Sequence, residues 1–371
     1  MKRTTRPVPL RAVPLRAASA VAAFAAGALL LSACGGTATG TPAGPASSGG
    51  AATGAASGDA QVTIYSADGL ADWYKGTFED FTKSTGIKVN YVESGSGEVV
   101  SRTEKEKSNP QADILVTLPP FIQQADQKGL LGSISADLSA IPPADKAADG
   151  HYVALVNNYF AMIRGTAASP KPDTWKDLLD AGYKGKVQYS TPGQAGDGTA
   201  MMVLLEQILG KQGAMDYFKA LQPNNVGPSS STGKLGPKVS KGELSAANSD
   251  VQMALQSISA DKSAYEVFFP KTDDGKRSTV SLPYDMGLAS NAPHKANAEK
   301  LMAYLLSKDV QSTVSSKAFG LPVRSDVTPS DANFATLKKT MDGVTVANPD
   351  WDAVQKGLKD DLAAYNAATG Q

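Results

Sequence analysis

From residue 62 onward, short β-branched runs alternate with apolar stripes of helical period, and this alternation restricts the fold more than any other feature of the chain. Residues 62–66 (VTIYS) read as a strand broken by Asp68-Gly69. Leu70, Trp73, Tyr74, Phe78 and Phe81 then recur at helical spacing, and Gly86 stops the helix. Residues 87–92 alternate like a strand, 96–107 read as a polar-faced helix, and 112–117 as a third strand. Pro119-Pro120 opens the next helix, ending near Lys128-Gly129. A succession of this kind predicts an α/β fold whose sheet is mostly parallel and covered on both faces.

The same grammar returns further on. A strand is expected at 186–190, helices at 197–209 and 212–221, a short helix at 234–241, a strand at 244–247 and a helix at 249–257. Strand-like runs near 152–164 and 278–290 flank this second set. Two extended crossings around an inserted α/β unit predict two lobes joined by a hinge: residues 61–157 plus 286–371 form one, and 158–285 the other. Ala298, Leu301, Met302 and Leu305 mark a late helix, and 351–365 the last.

Ahead of the folded part lies a different kind of sequence. The first 33 residues hold five basic side chains, no acidic one, and an apolar run at 17–33 that ends Leu31-Ser32-Ala33 before Cys34, the sole cysteine of the chain. A charged start, an apolar stretch and a small-residue junction describe an export signal. The junction resembles the lipobox of bacterial lipoproteins, which implies cleavage before Cys34 and acylation of its thiol; a plain signal peptide or a short anchor is the alternative. The apolar run falls short of the roughly 20 residues a bilayer span needs. Residues 35–60 contain no aromatic or large aliphatic side chain, a composition expected to act as a flexible tether. Beyond the leader, 31 basic residues face 36 acidic ones, which argues against nucleic acid as a partner.

Catalytic signatures are missing. The two histidines, His151 and His294, are too few for a histidine-based zinc site, and no G-x-S-x-G elbow occurs. Gly95-Ser96-Gly97-Glu98 lacks the third glycine of a dinucleotide fingerprint, and residues 227–235 (GPSSSTGKL) miss the P-loop spacing by one residue. Binding chemistry is better represented. Four segments rich in glycine and hydroxyls fall where a strand ends or a helix begins: 66–69, 94–98, 190–199 and 229–233. Each is an ordinary capping sequence or a cradle for an anion. Acidic and aromatic residues accompany them (Asp68, Glu98, Asp197, Asp250 and Asp285, with Tyr65 and Tyr284), a combination suited to an ammonium group.

Residues 62–131, with YSADG, WYK, TGIKVNYVESGSGEVVSR, EKEKSNPQADILVTLPPFIQQA and KGLL, resemble the 2-aminoethylphosphonate-binding proteins of ABC importers. The resemblance continues through YSTPGQAGDGTAMM, SSSTGKLGPKVSKGEL and FFPKTDDGKRSTVSLPYDMGL. It implies a type II periplasmic-binding-protein-like fold of two α/β lobes joined by two hinge strands. It also implies a non-enzymatic, monomeric receptor, lipid-anchored outside the cell membrane, that needs no cofactor or metal and serves a permease and an ATPase. Ferric-ion receptors of the wider group carry a tyrosine pair after an asparagine; here Asn248 is followed by Ser249 and Asp250, which disfavours iron. Another small anion, zwitterion or polyamine is the alternative ligand. The expected site sets the phosphonate against Gly196, Asp197, Gly198 and Thr199, helped by Ser96, Gly97, Thr117, Asn248 and Ser249. The ammonium group faces some of Asp68, Glu98 and Asp285, with Tyr65 or Tyr284 as the aromatic wall; Ser66 belongs to the same set, and Asp250 is expected either to offer a further carboxylate or to cap the following helix.

Overall fold

A computed structural model describes residues 60–371; the leader, Cys34 and the tract up to residue 59 lie outside the described residues. The strands are β1 (Gln61–Ala67), β2 (Lys88–Ser94), β3 (Ile114–Thr117), β4 (Leu131–Gly132), β5 (Tyr152–Val156), β6 (Phe160–Gly165), β7 (Val187–Gln188), β8 (Ala246–Asp250), β9 (Tyr265–Phe268), β10 (Arg277–Val280), β11 (Tyr284–Ala289) and β12 (Val344–Ala347). The helices are α1 (Ala71–Thr85), α2 (Ser96–Lys105), α3 (Phe121–Gln127), α4 (Gly196–Leu221), α5 (Gly236–Ser240), α6 (Val251–Ala260), α7 (Lys295–Leu305), α8 (Lys308–Gln311), α9 (Val314–Ala318), α10 (Ala332–Thr340) and α11 (Trp351–Thr369).

The larger sheet runs β2-β1-β3-β11-β4, with β5 also paired to β11. Its first three strands are parallel, as the alternation predicts, but β11 is antiparallel to β3, β4 and β5. The sheet is therefore mixed. The reason is topological: β11 arrives from β10, outside this sheet, instead of through a local helical crossover from β3. The smaller sheet runs β7-β8-β6-β9, and β10 pairs with β12 apart from both. The chain passes between the sheets at 157–159 and again at 281–283. There the Leu282 N–H donates to Asn158 O at 2.9 Å, and Tyr159 bridges Ser281.

The apolar periodicity does what its spacing predicts. Trp73, Tyr74, Phe78 and Phe81 of α1 are buried, and Tyr74 stacks on Phe78 at 4.6 Å. The helices expected at 197–209 and 212–221 are the two halves of α4, parted at Gly210, whose φ of 75° and ψ of 162° no side-chain-bearing residue adopts cheaply. The long α11 packs on both α4 and α3; Tyr365 Oη meets Tyr189 Oη at 2.9 Å, and Lys211 pairs with Asp361 at 2.5 Å. No helix among the described residues is long and apolar enough to cross a membrane.

Candidate functional site

The carboxyl ends of β1 and β2 face the loops before α4 and α5, and between them lies a cleft of about 540 Å³. Ligands in open α/β sheets gather at this end, where loops leave the strands and backbone N–H groups are free. Asp68, just past β1, reaches across it. Its Oδ2 accepts from Ser231 Oγ at 2.6 Å and from the Gly233 N–H at 3.1 Å. Other links run the same way: Gly97 N–H to Gln194 O at 3.0 Å, Gln252 Nε2 to Gly69 O at 3.0 Å, and Gln256 Nε2 to Asp72 Oδ2 at 3.1 Å. The two walls approach so closely at Gly95 that a Cβ there would lie 2.2 Å from Ser230 O.

Behind these links three carboxylates share a buried polar interior. Asp197 and Asp250 are 2% and 0% exposed. Burial pushes Asp68 up from the ordinary carboxylate range, and pushes Asp250 up to about 6. Burial raises Asp197 far more, with the charges of Asp250 and Asp68 adding to it. Asp250 is the N-cap of α6, accepting from the Met253 N–H at 2.7 Å. The Tyr284 hydroxyl sits between Asp68 O (2.9 Å) and Asp250 Oδ2 (3.0 Å), closing the cluster from the end of β11. Asp197 Oδ1 is buried with no donor. Chemically, a cluster of this kind suits a cation: an ammonium group would supply the missing donor and offset the mutual repulsion.

The expected anion donors are differently placed. Thr199 Oγ1 donates to Ala195 O (2.9 Å) and accepts from the Gly193 N–H (3.0 Å), so it shapes its own turn. The Thr199 N–H continues the helix to Ala195 O, and a Cβ on Gly198 would lie 1.9 Å from Ser190 O. Gly196 packs against Leu118. Asn248 accepts from the Ser190 N–H at 2.8 Å and donates to Ser190 Oγ at 3.0 Å. Thr117 Oγ1 donates to Ser96 O, Ser66 Oγ to Ala67 O, and Ser249 Oγ to Asp250 O. These groups frame the site with their polar atoms largely engaged inside the protein. At the mouth, Glu98, Ser249 and Lys234 line the cleft, with Glu98 and Lys234 exposed.

Two expected residues do not join the cluster. Tyr65 projects from the opposite face of β1, donates to Glu106 Oε2 at 2.8 Å and carries Arg102 over its ring at 4.5 Å. Asp285, next to Tyr284 but pointing the other way, lines a separate cavity. Alternation along a strand explains both: neighbouring residues face opposite sides, so Ser66 excludes Tyr65 and Tyr284 excludes Asp285. The sequence reading passed over Gln252 and Asn158. Gln252 ties Gly69 O to Ala318 O, and its N–H donates to Asn158 Oδ1 at 3.0 Å. Their only sequence signal is a polar residue inside an otherwise apolar helix start and a polar one at a crossing.

Known proteins share this architecture. The chain is 46% identical over 318 residues, 84% of its length and 93% of the relative's, to the "Putative 2-aminoethylphosphonate-binding periplasmic protein" of Salmonella typhimurium. The ferric binding protein of Campylobacter jejuni superposes with a TM-score of 0.66 at 20% identity, covering 83% of this chain and 99% of that one. The periplasmic binding protein AfuA of Actinobacillus pleuropneumoniae, solved with fructose-6-phosphate, gives 0.67 at 20% identity, over 83% and 97%. The fold is thus that of the periplasmic binding proteins. Residues 66–312 match the model described as "Bacterial extracellular solute-binding protein", and the chain belongs to that family of extracytoplasmic solute receptors.

Proposed function

We propose that this protein is the receptor of an ABC importer and that its ligand is 2-aminoethylphosphonate. The observation that carries the ligand is the 46% identity, over nearly all of the folded chain, to a relative bearing that name. The cleft supports a zwitterion: Asp68, Asp197, Asp250 and Tyr284 supply a deep anionic seat for the ammonium group. Lys234, Ser231 and Ser249 stand at the mouth, where a phosphonate two carbons away would emerge. This orientation reverses the role first expected of Asp197. Two lobes, built on the larger and smaller sheets, would close about the crossings at 157–159 and 281–283. The receptor would act without catalysis, held by acyl chains on Cys34 and passing its ligand to a permease and an ATPase.

Calorimetry on the full chain tests this reading. Saturable one-to-one binding of 2-aminoethylphosphonate is expected, far tighter than phosphate or ethylphosphonate, and Asp68→Asn should weaken it at least tenfold. No binding of 2-aminoethylphosphonate, with phosphate or ferric citrate bound instead in an Asp68-dependent way, would overturn it.

A further inference from the structure

A second cavity, of about 480 Å³, opens where α3, the segment between β4 and β5, and the first turn of α11 meet. It shares no lining residue with the cleft. Its wall is acidic: Asp126, Asp145, Asp149, Asp285 and Asp352 line it. Lys146 is the one cationic lining residue, and its Nζ turns to Leu138 O at 2.9 Å.

One acceptor on this wall is buried without a donor, and a nearly buried carboxylate on the same cavity is unpaired among the described residues. Asp285 is 5% exposed, and its carboxylate makes no hydrogen bond or ion pair among the described residues. Gln123 is also 5% exposed; its Nε2 donates to Tyr152 Oη at 3.3 Å, while Oε1 is left with nothing. A buried acceptor is almost always satisfied, so Gln123 Oε1, with the unpaired Asp285 on the same cavity, calls for donors from outside the chain. Burial, with the charge of Asp145 adding to it, pushes Asp285 well up. A cation in the cavity would draw it back down.

Size and lining narrow the chemistry. A water molecule takes about 30 Å³, so a bare ion would leave most of this space unfilled, whereas small-molecule pockets run from roughly 300 to 1,000 Å³. Tyr152 and Trp351 add aromatic surface beside the carboxylates, the pairing that suits an alkylammonium. We propose that this cavity is a second ligand site for a small organic cation with primary ammonium groups, Asp285 and Gln123 Oε1 accepting from its N–H donors. Asp126 Oδ1 lies 2.6 Å from His151 Nδ1, and Asp149 Oδ2 lies 3.5 Å from it, so these three close the rim as a hydrogen-bonded set.

The test is calorimetry of the full chain with butane-1,4-diamine, alone and after saturation with 2-aminoethylphosphonate. One saturable diamine site should persist in the saturated protein. Asp285→Asn and, at the exposed rim, Asp352→Asn should each weaken it at least threefold, Asp285→Asn at least tenfold. Both variants should keep 2-aminoethylphosphonate affinity within twofold, which also reports that they fold. Absence of diamine binding, its loss on saturation with 2-aminoethylphosphonate, or unchanged affinity in both variants would overturn the proposal. So would saturable binding of Mn²⁺ alone, abolished by Asp126→Asn, in a protein that ignores the diamine. Diamine binding that depends on Asp285 in a chain that does not take up 2-aminoethylphosphonate would leave this site standing and remove the reading of the cleft.

Discussion

The cleft and the cavity at Asp285 both hold buried acids, yet they are built differently. In the cleft, Asp68 and Asp250 are tied into a network that crosses from one sheet to the other through Ser231, Gly233 and Tyr284, with orphan oxygens left on Asp197, Gln252 and Gln256. In the cavity, Gln123 Oε1 has no donor and the Asp285 carboxylate has no hydrogen bond or ion pair among the described residues. The contrast separates a site that is completed by the approach of its two walls from one already complete in shape and short only of a guest.

Blocking that approach gives the largest effect. Gly95→Ala would thrust a Cβ to 2.2 Å from the Ser230 carbonyl, a backbone atom, a clash that only parting of the walls would relieve. Affinity for 2-aminoethylphosphonate should fall on the order of a thousandfold, about 4 kcal/mol, with the ligand-free melting temperature unchanged. Diamine binding at the second cavity should not respond. Wild-type ligand affinity in Gly95→Ala would break the distinction.

Next comes the pH dependence of the cleft's acids. Burial first, against the stabilising Met253 N–H, sets Asp250 at about 6 in the folded chain, above its unfolded value of 3.8. The native state therefore holds this proton more tightly, and stability from Asp250 is present below about pH 4 and lost as pH rises through about 6. Asp250→Asn has no proton to lose. The wild type should thus lose on the order of 3 kcal/mol relative to the variant between pH 4 and 7, read by urea unfolding of the ligand-free chain. A constant gap across that range would show that Asp250 does not titrate as part of the cluster.

How much of this was legible in the sequence divides along physical lines. Strand and helix periods located α1, α3, α4 and both crossings, because burial of one face leaves a repeat in the residues themselves. Even the break inside α4 showed as two helical stretches on either side of Gly210. Short elements with no repeat to display, such as β9 and β12, were not foreseen. Loops holding the site were recognised by their glycines and hydroxyls, but their roles were not. Asn248 and Thr199 have the chemistry of anion donors; only the fold reveals that Ser190 Oγ and Ala195 O had already taken them. Asp197 sits at a helix N-terminus, where an anion cradle is expected, and its own carboxylate fills that position. The split between Tyr284 and Asp285 was implicit in strand alternation, but choosing the inward residue required knowing which face of β11 meets the cleft.

Framing residues should accordingly matter to stability more directly than to contact with ligand. Asn248→Leu strips the fully buried Ser190 N–H of its acceptor and should cost roughly 1–3 kcal/mol in urea unfolding. Thr199→Val removes the bond to the partly buried Gly193 N–H and a donation to Ala195 O, which keeps the Thr199 N–H, and should cost about 1 kcal/mol or less. Equal costs for the two would argue that Ser190 finds another partner as easily as Gly193 does.

The smallest expected effect sits at the mouth. Lys234 is exposed and close enough to Asp68 to lower its pKa, so water and salt screen whatever it offers a phosphonate. Lys234→Ala should weaken 2-aminoethylphosphonate binding only about two- to fivefold, a loss of roughly 0.5–1 kcal/mol that shrinks as salt is raised. Because the cavity at Asp285 has no residue in common with this mouth, diamine binding there should be indifferent to the change. A loss from Lys234→Ala as large as that from Asp68→Asn would move the phosphonate inward. The deep carboxylates would then be facing the wrong end of the ligand.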